Sequence, residues 1–414
     1  MALATIQQRS QSPPMRRALA SGVITLLLFL VLSSNNTAAR EKNQGTLSGY
    51  VEVEQRFFLE EAPVPDRQRN YQAVGGELQY SFSANRGRET FTATLGLRKD
   101  FDDPEREYIE LLDLDAIISN GPIEFRFGVR RVFWGVTEAV HLVDVINQSN
   151  LQEGVDTEDK LGQAMVNLAW FSPFGTWEGF VMPFFRERLF PGSEGRFSTP
   201  FELLPDDARY AAEASAGDVR FALRWTHSLF DMDIGLSYFE GNNRTPRISP
   251  CLREGSGFEG TQDDHFCDFT EDDVDPILTP LAELIVQGAE SSPAGSGDVL
   301  GPLVQQVANN DTSGMVPNEQ AIRDRAFESI VLVPIYEPSK QFGVDWQYNY
   351  GDLALKAEAR RRLLRDEWQT AAAGGFEYTV VGVFGSAIDV GLLGEYLYNQ
   401  DNESVVADFD KDWF

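Results

Sequence analysis

Residues 342–350, Phe-Gly-Val-Asp-Trp-Gln-Tyr-Asn-Tyr, put Phe342, Val344, Trp346, Tyr348 and Tyr350 on one phase of a two-residue period and Gly343, Asp345, Gln347 and Asn349 on the other. Side chains of a strand point alternately to its two faces, so a strand built from this stretch meets an apolar medium on one side and water on the other. The pattern recurs at Phe91, Ala93, Leu95 and Leu97 against Thr90, Thr92, Thr94 and Arg98, and at Ile123, Phe125, Phe127 and Val129 against Glu124, Arg126, Gly128 and Arg130. A soluble sandwich alternates too, but its strands average about 5–6 residues. Segments of ten residues and more have the length that crosses a bilayer at about 45°. Length therefore decides for an all-β fold, an antiparallel transmembrane β-barrel.

Working outward, such segments fall near residues 47–59, 72–84, 89–99, 107–118, 123–133, 161–171, 176–186, 218–229, 231–240, 340–350, 352–364, 372–384 and 386–398. Their connections alternate. Short ones lie at Asn85–Arg88, Ser119–Pro122, Ser172–Gly175, Phe230, Gly351 and Gly385, and the longest at 134–160, 187–217 and 241–339. Short periplasmic turns opposite long outer loops are the barrel pattern. Residues 330–338 also look strand-like, but Pro334 and Pro338 cannot donate to a ladder, which leaves them out of the membrane set. A barrel of this type has an even strand number, and the last residues, 406–414, make a poor further strand because Val406, Asp408, Asp410 and Asp412 share one phase. About 13–14 strands are thus expected, with the chain stopping at its C-terminus before the closing strands.

Composition narrows the function. With 35 Lys and Arg against 64 Asp and Glu, a net charge of −29 excludes nucleic acid, which requires a basic footprint. His141, His227, His265, Cys251 and Cys267 are too few for the usual transition-metal motifs, and no metal or cofactor is expected. Arg9, Arg16 and Arg17 precede the apolar run Ala18–Leu32, which is followed by Asn36-Thr37-Ala38-Ala39. The run is shorter than the roughly 20 residues of a spanning helix, so residues 1–39 read as a signal peptide and 40–414 as the barrel in the outer membrane. His227-Ser228 invites comparison with a hydrolase, yet neighbouring strand residues face opposite ways. No catalytic residue is assigned and no enzyme is expected.

The lumen is where function should lie. In the loop 134–160, Val136, Ala139, Val140 and Val143 stand at i, i+3, i+4 and i+7, which predicts a helix of about three turns. Its apolar face needs cover, so the loop is expected to fold inward and constrict the pore. The loop carries Glu138, His141, Asp144, Glu153, Asp156, Glu158 and Asp159, and the wet phases of the strands carry Arg126, Arg130, Arg220, Arg224, Lys356, Arg360 and Arg362. An acidic loop facing a basic wall would filter by charge; the plainer reading is that these pairs brace the loop. In the outer cap, 241–339, Cys251 and Cys267 are expected to form a loop disulfide in an oxidising compartment, and the irregularly spaced acids do not match an EF-hand.

Arg130-Arg131-Val132-Phe133-Trp134-Gly135, followed by Asp144-Val145-Ile146-Asn147, resembles the Trp-Gly and Asp-x-Ile-Asn signature of a porin-like outer-membrane β-barrel family of Gram-negative bacteria, mostly without assigned substrate. A weaker echo runs from Gln341 to Tyr398 and includes Glu377-Tyr378 and Glu395-Tyr396, while Gln148 stands where relatives often have Pro. The resemblance implies a barrel that continues past 414 and a role for Trp134, Gly135 and Asn147 at the constriction. The resulting expectation is a porin-like channel for passive or gated uptake of a small solute. Its partners would be outer-membrane lipid and that solute, with a homo-oligomer left open. The alternative is a surface-exposed structural or binding barrel with an occluded lumen.

Overall fold

Phe342 is 52% exposed, while its strand neighbours Gln341 and Asp345 are 3% and 6% exposed. The same inversion holds along the sheet: Phe125, Phe127, Leu168, Trp177, Phe221 and Leu223 face outward, and Asn167, Arg224, Lys356, Glu358 and Glu395 are buried. Burial of polar groups beneath an apolar skin is opposite to a water-soluble domain and matches a barrel wall whose outer medium is hydrocarbon. The computed structural model describes residues 44–59, 70–154, 158–254 (apart from 194, 197, 200, 212, 213 and 216), 265, 267, 329–400 and 411–413. The expected signal peptide, 1–39, and the acidic part of the cap lie outside the described residues.

Strands run in chain order as β1 (Gln44–Phe57), β2 (Asn70–Ala84), β3 (Glu89–Asp100), β4 (Tyr108–Asn120), β5 (Ile123–Arg130), β6 (Gln163–Ser172), β7 (Gly175–Met182), β8 (Glu202–Leu203), β9 (Arg209–Tyr210), β10 (Arg220–Leu229), β11 (Met232–Asn242), β12 (Arg247–Leu252), β13 (Ile330–Tyr336), β14 (Pro338–Tyr350), β15 (Leu353–Leu364), β16 (Glu367–Val380), β17 (Val390–Asn399) and β18 (Lys411–Trp413). Fourteen of them form one sheet in the order β1-β2-β3-β4-β5-β6-β7-β10-β11-β14-β15-β16-β17-β18. Every neighbouring pair is antiparallel. Thirteen correspond to the segments read from alternation. Among the described residues β1 and β18 are not paired with one another.

The second sheet is a small cap. β13 pairs antiparallel with β12 and in parallel with β8 and β9. The two short partners take Val331–Leu332 and Ile335–Tyr336 and skip Val333–Pro334, so the missing Pro334 N–H leaves no gap in that ladder. The exclusion of 330–336 from the membrane strands holds, whereas Pro338 belongs to them as the first residue of β14, a place where a strand tolerates the missing N–H. Two hairpins differ from expectation. β15 and β16 are joined by only Arg365 and Asp366, at φ 52° and 62°, the positive pair of a type I′ turn, where a longer loop was expected. β16 and β17 are joined across 381–389 in place of a turn at Gly385; Gly382, at φ 64°, opens that loop and donates its N–H to Asp389 Oδ1 at 2.9 Å.

The main core lies between the wall and the chain that follows β5. Trp134, Val143, Val145 and Ile146 pack against Met165, Phe180, Met182, Ala222 and Phe239, and Leu142 packs against Ala371, Ala373 and Leu397. One loop therefore touches β6, β7, β10 and β11 and also β16 and β17. At about 1.5–3 kcal/mol for each fully buried aliphatic side chain, Val143 and Ile146 alone hold it firmly on the inner face.

Candidate functional site

The loop leaves β5 at Arg130 and is stapled at its base by Asn147, which accepts from Val132 N at 2.8 Å and donates to Arg130 O at 2.7 Å and Leu161 O at 2.8 Å. Trp134 then turns into the core, edge-on to Phe180 at 5.6 Å and beneath the Arg224 guanidinium at 5.0 Å. Gly135 follows at φ 131°; a Cβ there would lie 2.7 Å from Glu358 Oε1, so only glycine lets the backbone come this close.

The expected helix is absent: residues 136–143 contain only turns, bends and coil. Five of their N–H groups are taken by two wall carboxylates. Glu358 Oε1 accepts from Val136 N at 2.6 Å, Thr137 N at 3.0 Å and Thr137 Oγ1 at 2.7 Å, and Oε2 accepts from Val143 N at 3.2 Å. Glu395 accepts from Glu138 N at 2.9 Å and Ala139 N at 2.8 Å. A helix would have turned the N–H groups of its first turn along its own axis with no intrahelical partner. Charged acceptors on the wall outcompete that arrangement. Glu358 sits six residues from the Leu364 end of β15, so the loop descends about 20 Å along the strands.

At the loop's tip the Glu138 carboxylate meets Lys356 Nζ at 2.6 Å, and Lys356 also reaches Glu377 Oε2 at 3.0 Å. Both carboxylates are half-exposed while the ammonium between them is nearly buried. Beside them lies a cavity of about 350 Å³ lined by Gln347, Asn349, Asp352, Ala354, Lys356, Glu377 and Thr379. This constellation can do ionic and hydrogen-bonding chemistry with a solute.

The remaining expected pairs are arranged differently. Asp144 pairs with Lys160 of its own loop at 3.3 Å and is sealed from solvent; burial pushes its carboxyl above the ordinary value against the pull of Lys160. Arg126 pairs with Glu124, and with Glu178 at 3.7 Å; Arg130 with Asp115 at 3.1 Å; and Arg224 with Asp345 at 2.9 Å. These partners are acids of the wall, so the opposition of an acidic loop to a basic wall is replaced by matched charges within the wall. Glu138 with Lys356 is an expected loop-to-wall pair that the structure does bring together. Arg220 binds Asn242 Oδ1 at 2.7 Å and Arg362 binds Asn243 Oδ1 at 3.0 Å, both at the base of the cap. Arg360 lies half-buried on the same phase of β15. His141 Nε2 is 3.1 Å from Glu158 Oε1, with its ring against Phe133. Cys251 and Cys267 are disulfide-bonded. His227 stacks on Trp225 at 5.8 Å, while Ser228 Oγ donates to Asp233, so the two point apart.

Residues that sequence reasoning did not single out hold the loop's far end: Arg98 Nη1 binds Glu153 Oε2 at 2.6 Å, Arg56 Nη2 binds Glu153 O at 2.8 Å, and Arg106 Nε binds Gln152 O at 2.5 Å. Glu358 was likewise missed, and Glu377 and Glu395 were noted only in the family echo, without a role at the loop. Their inward phase was legible from alternation, but a search for basic partners to an acidic loop passes over acids.

No protein-family model matches the chain, and no curated protein matches it. Among solved structures, OprB of Pseudomonas putida is 9% identical, with 92% of this chain and 79% of that one covered and a TM-score of 0.36. The outer membrane channel DcaP of Acinetobacter baumannii is 8% identical, over 87% and 80%, with a TM-score of 0.37. OpdO of Pseudomonas aeruginosa is 10% identical, over 90% and 84%, with a TM-score of 0.34.

Proposed function

We propose that the chain is an outer-membrane channel for small polar solutes, narrowed by the loop after β5 and biased toward cations at Glu138, Lys356 and Glu377. One observation carries the reading: a single loop crosses the inner face from β5 to β17 at mid-strand depth and pairs its half-exposed Glu138 carboxylate with Lys356, which lines a polar cavity. Outside, the apolar phase supplies the surface that lipid covers. Inside, Glu138, Glu377 and Asp352 outnumber Lys356, and charges lining a narrow wet path set which ions pass.

Planar-bilayer recordings across a salt gradient test it. The wild type should conduct with a cation-selective reversal potential, and Glu138→Gln with Glu377→Gln should move that potential toward zero. Asp144→Asn should leave it where it was, because Lys160 and burial already hide that charge. A folded, inserted protein without conductance would favour the occluded binding barrel instead.

A further inference from the structure

Glu358 and Glu395 are 2% and 0% exposed, and among the described residues neither has a cation within ion-pair distance. Burying a carboxylate without a countercharge is costly unless hydrogen bonds replace its hydration. Here the replacements come from the loop: for Glu358 the N–H groups of Val136, Thr137 and Val143 and the Thr137 hydroxyl, and for Glu395 those of Glu138 and Ala139. The dependence is mutual. The loop's consecutive N–H groups, 136–137 and 138–139, converge in pairs on one anion each, in the manner of a backbone nest, and they have no other acceptor among the described residues.

We infer that Glu358 and Glu395 are the positioning residues of the constriction, two latches that hold the loop across the lumen through its peptide groups, Glu358 governing the two ends of residues 136–143 and Glu395 the stretch 138–139 between them. The ion pair at Glu138 and Lys356 is half-exposed on its acid side, and exposed pairs contribute little, so it decorates the loop without holding it. A glutamine in either place keeps the size but replaces one acceptor oxygen by an NH₂ that faces N–H donors.

The inference rests on the channel reading only for its effect on conductance, and residue-resolved hydrogen exchange on the full chain in detergent tests it separately. In Glu358→Gln the amides of 136, 137 and 143 should exchange about tenfold faster or more, the scale of one lost charge-assisted hydrogen bond, with 138 and 139 changed less. Glu395→Gln should give the converse. Val132, held by Asn147, and the strand amides should stay as in wild type, and Glu358→Asp should restore part of the protection where Gln does not. Single-channel conductance of the double variant should rise toward that of a chain lacking 136–143. Unchanged exchange across 136–143, or a uniform rise without the two-way partition, in variants whose strand amides remain protected would overturn the latch. Absence of conductance in the wild type would overturn the channel reading and leave the exchange result to decide the latch.

Discussion

Asn147 stood out in the sequence as part of an Ile-Asn pair near a presumed pore, and in the structure it is buried. Its amide closes the loop's base through three hydrogen bonds. Asn147→Ala should cost about 2–3 kcal/mol, the sum expected for buried backbone groups left unpaired, read as a lower midpoint in urea unfolding from bilayers. Asp144 makes a different prediction. Its carboxyl is raised by burial, so the folded loop favours the protonated form. That contribution is full below the ordinary carboxylate range and is lost as pH rises through the raised value. Asp144→Asn should therefore remove this loss, with a neutral-pH unfolding midpoint equal to or above wild type. Single residues were legible as to phase, since alternation tells which side chain points inward. Their partners were not, because pairing across the lumen depends on strands far apart in the chain.

At the scale of elements, long strands were the readable part, because a lipid-facing phase leaves a period-2 record over ten residues or more. Turns were less so. Arg365-Asp366 carries none of the Asn-Gly or Asp-Gly chemistry that announces a two-residue hairpin, and the expected start of the next strand fell inside what is now β16. Asp366 occupies φ 62°, a conformation glycine adopts without the steric cost. Asp366→Gly should thus stabilise the β15–β16 hairpin by about 0.5–1 kcal/mol, measurable as slower exchange of the Leu364 and Glu367 amides. The loop helix failed for a physical reason: helical spacing of apolar residues records which side chains are covered, and Val143 and Ala139 are indeed covered by the wall, but from a coil whose amides had found anions.

For the whole molecule, the decisive property is the inversion of burial, polar within and apolar without. Leu223, 60% exposed near the middle of β10, should tolerate charge poorly if hydrocarbon surrounds it. Leu223→Arg should cost about 2–4 kcal/mol of folding free energy in bilayers, whereas a surface leucine in water would lose almost nothing; an unchanged midpoint would deny the lipid contact. The net charge of −29 says nothing about where the charges lie, and along the wall Arg126, Arg130 and Arg224 each face an acid.

The two carboxylates lie 222 and 257 positions along the chain from the amides they bind. Contacts so remote in sequence form late, since the intervening chain must first be ordered before the closure is rewarded. Strand by strand, the wall has to be assembled through β17 before the loop after β5 can seat. Until then the inner face stays open and the carboxylates stay hydrated. Seating the loop therefore comes after β17 has joined the sheet, and its order in assembly is set by the position of its two anchors in the chain.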